Sequence, residues 1–252
     1  MNATTESRPT DFSPSESPSY NNRYDIYSTI HKALRLCMMD ALASVGAMDL
    51  ENTEELRVKL SNVEAMLGLM RTHLTKENKF LHPALEARQP GASHRIANEH
   101  VEHEQAIDAL SDDVADLWAS NSAQRGALAQ RLYRHLALAI ADNLEHMHYE
   151  ETVHNKALWS SYTDAELQGI EQQIKASLSP QEMMLWLRWI ASSARPQQIA
   201  GMMVDMRANA PKEAFEPALD LVREQLSSSR WSALAQALDL PQAHGLVDSR
   251  SI

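Results

Sequence analysis

The chain has 252 residues and a formal net charge of −11 at pH 7, and 44% of its residues are hydrophobic. The acidic balance argues against general binding to nucleic acid or to an anionic membrane surface, because both need clustered lysine and arginine. Seven glycines and ten prolines are too few for the frequent turns of a sandwich or barrel, so an all-α protein is expected.

The N-terminal residues 1–22 are rich in serine, threonine and proline, and they predict a disordered tail. They also lack the apolar core of a signal peptide, and no apolar run in the chain reaches transmembrane length. A single cysteine, Cys37, excludes an internal disulfide and fits a reducing compartment. The sequence therefore predicts a cytoplasmic protein with no membrane association.

Residues 23–160 contain four segments in which apolar residues recur at alternating steps of three and four. Stop and start signals separate the segments at Gly46, at 88–91 and at Asn121, and Asn52 and Ser93 are expected to cap the second and third helices. Stripes of this kind allow antiparallel helices to pack around a shared core. The pattern predicts an antiparallel up-down four-helix bundle.

Residues 161–240 have a different character, with shorter helical patterns and no histidine. Capping boxes begin at Thr163 and Ser179, and Pro196 and Pro211 mark further helix starts, so about five helices are expected. Their methionines and tryptophans are interpreted as core. This region is predicted to be a smaller C-terminal helical domain, followed by a flexible tail at 241–252.

Polar residues interrupt the four apolar stripes of the bundle in a restricted zone. Ten of the eleven histidines lie before residue 155. Five histidines lie on the predicted interior faces, and two of them are each followed four residues later by a glutamate. These seven residues are His31, His73, Glu77, His100, His103, His146 and Glu150. In an antiparallel bundle all seven fall near one depth, roughly 10–15 Å from one end, so their side chains can meet.

Five imidazoles and two carboxylates in a core would be strongly unfavourable if unpaired, whereas metal ions satisfy all of them. Nitrogen and oxygen ligands without thiolate suit iron, manganese or zinc. If two six-coordinate ions share the five histidines, two bridging glutamates and one bridging oxide or hydroxide, one position stays open. A diatomic ligand can bind there.

At this point the sequence resembles the hemerythrin HHE cation-binding family over residues 24–158. The motifs that carry the resemblance are His31, the HxxxE segment 73–77, the segment 99–103 and the HxxxE segment 146–150. The resemblance implies an oxo- or hydroxo-bridged di-iron site whose ligands would be the seven residues above. Invertebrate members of the family place the two histidines of the third helix four residues apart, whereas His100 and His103 are three apart. If only one of them binds, Glu104 or a water would complete the shell.

The remaining polar residues of the bundle are interpreted as structural. His82 is expected on the opposite side of the second helix from His73, and His94, His148 and His154 are expected to face solvent. His135 and Asp142 lie on the fourth stripe, where a satisfied core interaction is favoured over a role beside the metal. Tyr27 is expected to pack.

Three functions compete on these observations. The leading hypothesis is an iron protein that binds or senses O₂, or NO, without turnover; its C-terminal helices would pass the signal to a protein partner or to a second copy. An apolar pocket for the ligand would be lined by Met38, Met66, Met70 and Ile107. The alternatives are a di-iron enzyme acting on peroxide or NO, for which Tyr27 or an unassigned group of the third helix would be the proton donor, and an interaction protein with a vestigial metal site.

Overall fold

The computed structural model describes residues 23–240. The two predicted tails, 1–22 and 241–252, lie outside the described residues, as does His244. Helices supply the regular structure of residues 23–240, and no β-strand forms in that range. The predicted all-α fold is confirmed.

Four long helices form the bundle: α1 (Ser28–Gly46), α2 (Thr53–Lys76), α4 (His94–Ala119) and α5 (Ser122–Tyr149), with the short α3 (His82–Arg88) continuing the line of α2. Helix α1 packs on α2 and α5, and α4 packs on the same two helices. Each helix therefore has two neighbours and turns one face to a common core.

Three residues were predicted to begin α2, α4 and α5, and two of them cap their helix with the side chain. The side chain of Asn52 accepts a hydrogen bond from the backbone N–H of Glu55, and Asn121 caps α5 in the same way. Ser93 precedes α4, but its side chain does not cap the helix. Its hydroxyl donates instead to Glu86, 2.7 Å away, and so ties the start of α4 to the preceding loop.

Two π-helical turns interrupt the bundle, at Glu77–Leu81 after α2 and at Glu150–His154 after α5. Each turn begins at a glutamate of a predicted HxxxE motif. A π turn accommodates one more residue than an α turn, so it rotates every later side chain relative to the α-helical pattern. The second turn leads into α6 (Asn155–Ser161).

The C-terminal region folds as α7 (Asp164–Ala176), α8 (Pro180–Ser193), α9 (Pro196–Asn209), α10 (Lys212–Glu224) and α11 (Ser228–Ala237). The capping boxes predicted at Thr163 and Ser179 both form. Helix α8 packs on α1 and α2, and its Trp186 belongs to the bundle core, whereas the adjacent Leu187 belongs to a second core. The domain boundary at residue 160 stays a prediction, since Leu167 and Trp186 both join cores that contain earlier residues.

Within residues 23–240, none of the helices combines the length and the apolar character needed to cross a lipid bilayer.

Candidate metal centre

Six of the seven predicted ligands converge between the four bundle helices. Their ligand atoms form two groups of four, and within each group all four atoms lie within 4.8 Å of one another. One group is His31, His73, Glu77 and Glu150, and the other is Glu77, His100, His146 and Glu150. All six side chains are buried. The two groups share both carboxylates, which is the arrangement expected of two adjacent cations.

The carboxylate of Glu77 divides its two oxygens between the groups. Its Oε1 lies 3.4 Å from Nε2 of His73 and 3.9 Å from Nε2 of His31, whereas its Oε2 lies 3.5 Å from Nε2 of His100. These separations are long for hydrogen bonds, but they suit donor atoms placed around a common cation.

Glu150 mirrors this arrangement from the other HxxxE motif. Its Oε2 lies 3.4 Å from Nε2 of His31, and its Oε1 lies 3.4 Å from Nε2 of His146 and 3.9 Å from Nε2 of His100. Both glutamates therefore present one oxygen to each histidine pair.

The buried donor atoms lack protein partners, and this supports a fit to metal ions. Among the described residues, Nε2 of His31, Nε2 of His73 and all four carboxylate oxygens of Glu77 and Glu150 have no hydrogen-bond partner. Buried polar atoms left in this state cost free energy, and a pair of cations would satisfy them together. Imidazole and carboxylate donors suit iron, manganese or zinc.

Three of the histidines are oriented through their second nitrogen. Nδ1 lies 3.0 Å from Glu151 Oε1 in His31, 2.7 Å from Asn78 Oδ1 in His100 and 2.9 Å from Glu99 Oε2 in His146. The hydrogen bond from His146 helps to lower the pKa of Glu99 to about 2, so that carboxylate can only accept. A neutral ring that donates from Nδ1 turns the lone pair of Nε2 inward, as a metal ligand requires.

The ionisation states of the carboxylates also favour cation binding. Burial acts to raise the pKa of Glu77, but the adjacent imidazoles of His73, His100 and His31 hold that pKa well below its usual range. Glu150 behaves similarly: burial and the charge of Glu77 act to raise its pKa, yet the adjacent imidazoles of His146 and His31 lower it to about 2. Burial lowers the pKa of His73 to about 4. At neutral pH the site therefore offers two carboxylates and a neutral His73. Burial acts to lower the pKa of His31 and of His146, but neighbouring carboxylates raise the pKa of His31 well above its usual value and that of His146 to about 10, so cation binding would displace a proton from each of these two rings.

His103, the seventh predicted ligand, lies outside both groups. Its Nε2 is 3.0 Å from Oδ2 of Asp142, while its Nδ1 is buried without a hydrogen-bond partner in the described residues. Three residues beyond His100, it lies nearly one turn farther along α4 and meets Asp142 of α5 rather than the glutamates. Glu104, the alternative considered for this helix, is exposed.

His82 and His154 were missed as residues of this region, and the expectations for both were wrong. His82 is 7% exposed and His154 is fully buried. The ring of His82 stacks on His100 with centroids 4.8 Å apart. Nε2 of His82 and Nε2 of His154 have no hydrogen-bond partner among the described residues. The π turns explain the error, because they bring residues four or five positions after each glutamate round to the interior.

A sequence signal for this pair did exist. His82 follows Glu77 by five positions, and His154 follows Glu150 by four. A histidine that follows both HxxxE motifs indicates that the two histidines share a location. The α-helical period, applied to His82 alone, instead predicts that this residue lies opposite His73.

The other polar residues have simpler roles. His135 is exposed and lies 2.6 Å from Asp113, so the core position expected for it is wrong, whereas Asp142 lies 3.0 Å from the buried His103. His94 and His148 are exposed, as expected. Tyr27 packs in the interior as expected, with its hydroxyl 3.5 Å from Nδ1 of His154; burial, followed by the charge of Glu150, raises its pKa well above its usual value.

The two histidines of α4 give a direct test of this geometry. His100→Ala should remove one of two bound ions, because its Nε2 faces both carboxylates. His103→Ala should leave the metal content within about 20% of the wild type, because this ring lies outside both groups. Metal analysis of the two variants measures the difference; equal losses from both would contradict the assignment.

Comparison with known proteins adds one finding. The family model described as "Hemerythrin HHE cation binding domain" matches residues 22–157, which include all six convergent residues. No curated protein and no solved structure gives a significant match.

Proposed function

Because the chain belongs to the hemerythrin HHE cation-binding family, we propose that it holds two non-haem iron ions and takes up O₂, or NO, at that pair. One ion would bind His31 and His73, the other would bind His100 and His146, and two carboxylates would bridge them. Manganese and zinc suit the same donor atoms and are the alternatives that metal analysis distinguishes.

The observation that carries this proposal is the division of each carboxylate between two histidine pairs. Two histidines and two carboxylate oxygens would give each ion four protein donors. A six-coordinate ion held in this way would keep positions for a bridging oxide or hydroxide and for an external ligand. Iron supplies reversible oxidation and the binding of diatomic molecules at such positions.

Apolar residues in the interior of the bundle support binding without turnover. Met38, Met66, Met70 and Ile107, the residues expected to line an apolar pocket, are all buried in the bundle core. An apolar boundary disfavours hydrolytic and proton-dependent side reactions, and it suits binding without turnover.

A route from the metal centre to the C-terminal helices supports a sensing role. The ring of Trp186 in α8 lies 6.5 Å from the ring of His73. Movement of His73 on ligand binding would therefore be transmitted to α8 and to the core behind it. We propose that residues 161–240 form the responding region, through a protein partner or self-association.

The test is reconstitution with ferrous iron under argon, followed by exposure to air and then removal of oxygen. An oxygen-to-iron charge-transfer absorption that appears and disappears through several cycles is expected. His73→Ala should abolish it, whereas His94→Ala, which changes an exposed histidine, should not. Irreversible oxidation in the wild type would reject reversible binding.

A second function, the turnover of peroxide or NO, is favoured by His82, His154 and Tyr27. These three buried side chains offer hydrogen-bond donors beside the metal centre, whereas of the three only Tyr27 was considered as a donor from the sequence. Positioned donors of this kind typically accelerate proton-coupled reactions by about 10²–10⁴-fold.

Replacing both histidines tests this second function. His82→Phe with His154→Phe should lower peroxide consumption by about 100-fold while the iron content stays unchanged, because the rings donate hydrogen bonds without supplying the main ligands. Substitution by glutamine, which keeps a donor, should restore part of the rate. Consumption that is absent in the wild type, or unchanged in the phenylalanine variant, would exclude this role.

The third reading, an interaction protein with a vestigial site, predicts a protein that retains no metal after purification without chelators. The unpartnered oxygens of Glu77 and Glu150 disfavour it, since an abandoned site has no reason to keep two buried carboxylates.

A further inference from the structure

A cavity of about 410 Å³ lies between the bundle and part of the C-terminal helices. It lies between α1 and α2 on one side and α7, α8 and α9 on the other. Most of its wall is apolar, including Ile30, Ile174, Leu178, Trp186, Leu187 and Ile190. Its volume lies within the range typical of small-molecule sites.

The cavity reaches the flank of the metal centre. Tyr27, His73 and Glu77 contribute to its wall together with the apolar side chains of α8. A molecule in the cavity would therefore contact both Trp186 and the bundle. The four-helix bundle alone would not enclose this space, because α7, α8 and α9 supply its other side.

Charged side chains lie along one edge of the otherwise mainly apolar cavity. Lys76, Lys175 and Glu171 all line it. Nζ of Lys175 pairs with Glu171 at 2.8 Å, whereas Lys76 is partly exposed, donates to the backbone carbonyl of Ser177 at 3.0 Å and forms no ion pair among residues 23–240. The ammonium of Lys76 retains further donors for an anionic group.

We propose that this cavity binds an amphipathic carboxylic acid, with an aliphatic chain on the order of ten carbons among the apolar side chains and the carboxylate beside Lys76. The site is formed by protein groups, so binding does not depend on the proposed iron pair. The ligand would contact Trp186 and His73. Its binding would therefore respond to changes at the metal centre, or would itself change the metal centre.

Decanoate is the probe, and its binding is measured by calorimetry and by tryptophan fluorescence on the full chain. Thr72 lines the cavity, while Thr75 on the same helix is exposed and does not; both hydroxyls donate to the carbonyl four residues earlier. Thr72→Trp should weaken decanoate binding by about tenfold or more, because it fills the space, and Thr75→Trp should leave it unchanged. Thr72→Leu, a smaller change, should weaken binding less.

The head group is tested separately with decanol. Lys76→Gln should weaken decanoate binding by about fivefold or more and leave decanol binding unchanged. Chelator-treated protein should bind decanoate as the untreated protein does, with metal content measured in the same samples. Absence of saturable binding, or binding insensitive to Thr72→Trp, would overturn the site. An equal effect of Lys76→Gln on both probes would overturn the carboxylate assignment, and loss on chelation would show that the metal holds the ligand instead.

Discussion

Replacing Glu77 and Glu150 together by glutamine should lower the metal content from two ions per chain to about a tenth of that value or less. Each glutamate presents one oxygen to each histidine pair, so this double change removes the negative charge and both bridges at once. Glutamine keeps nearly the same volume, and the loss therefore reports on ligation rather than on packing. Metal analysis after purification without chelators provides the measurement.

The matched control is Glu104→Gln with Glu145→Gln, which changes two exposed carboxylates on α4 and α5. It should retain both ions. A second comparison separates a bridged pair from two independent ions: His31→Ala with His73→Ala should leave about one ion per chain, whereas Glu77→Gln alone should weaken both. Retention of two ions by the glutamine double variant would contradict the bridging role.

Saturating ferrous iron should raise the midpoint of thermal unfolding by about 8–16 °C relative to chelator-treated protein. A ligand at about 1,000 times its dissociation constant stabilises the folded state by about 4 kcal/mol, and each kcal/mol raises the midpoint of a chain of this size by about 2–4 °C. The physical reason is that the cations satisfy four buried carboxylate oxygens that otherwise lack partners.

Calorimetric or dichroism melting curves measure this shift. The Glu77→Gln, Glu150→Gln variant should show almost none of it, and Mg²⁺, which prefers oxygen ligands, should have little effect on the wild type. A midpoint that is the same with and without ferrous iron would mean that the buried carboxylates do not bind it.

The HxxxE motifs allowed most of the site to be predicted from the sequence. His73 with Glu77, and His146 with Glu150, are separated by one helical turn, so the α-helical period places each pair on one face. The position of His31 and His100 followed from helix order and depth. The choice between His100 and His103 did not, since both lie on the interior face of α4 and only their partners on other helices separate them.

The π turns could not be predicted from apolar periodicity. The apolar residues before and after each π turn keep the α-helical period, so the pattern does not reveal the one added residue. That residue nevertheless rotates His82 and His154 into the interior. These two histidines bear on the proposed turnover of peroxide or NO, because they would supply hydrogen-bond donors beside the metal centre. The contacts of Trp186 with the bundle core could not be predicted from the sequence either, since the packing of helices depends on side chains far apart in sequence.

We propose that two iron ions share Glu77 and Glu150. Mössbauer spectroscopy of protein reconstituted anaerobically with ⁵⁷Fe and then oxidised tests it most directly, together with the iron-to-chain ratio of the same sample. We expect two irons per chain and a diamagnetic ground state from coupling between the two ferric ions. One iron per chain, or two magnetically isolated irons, would contradict the bridged pair.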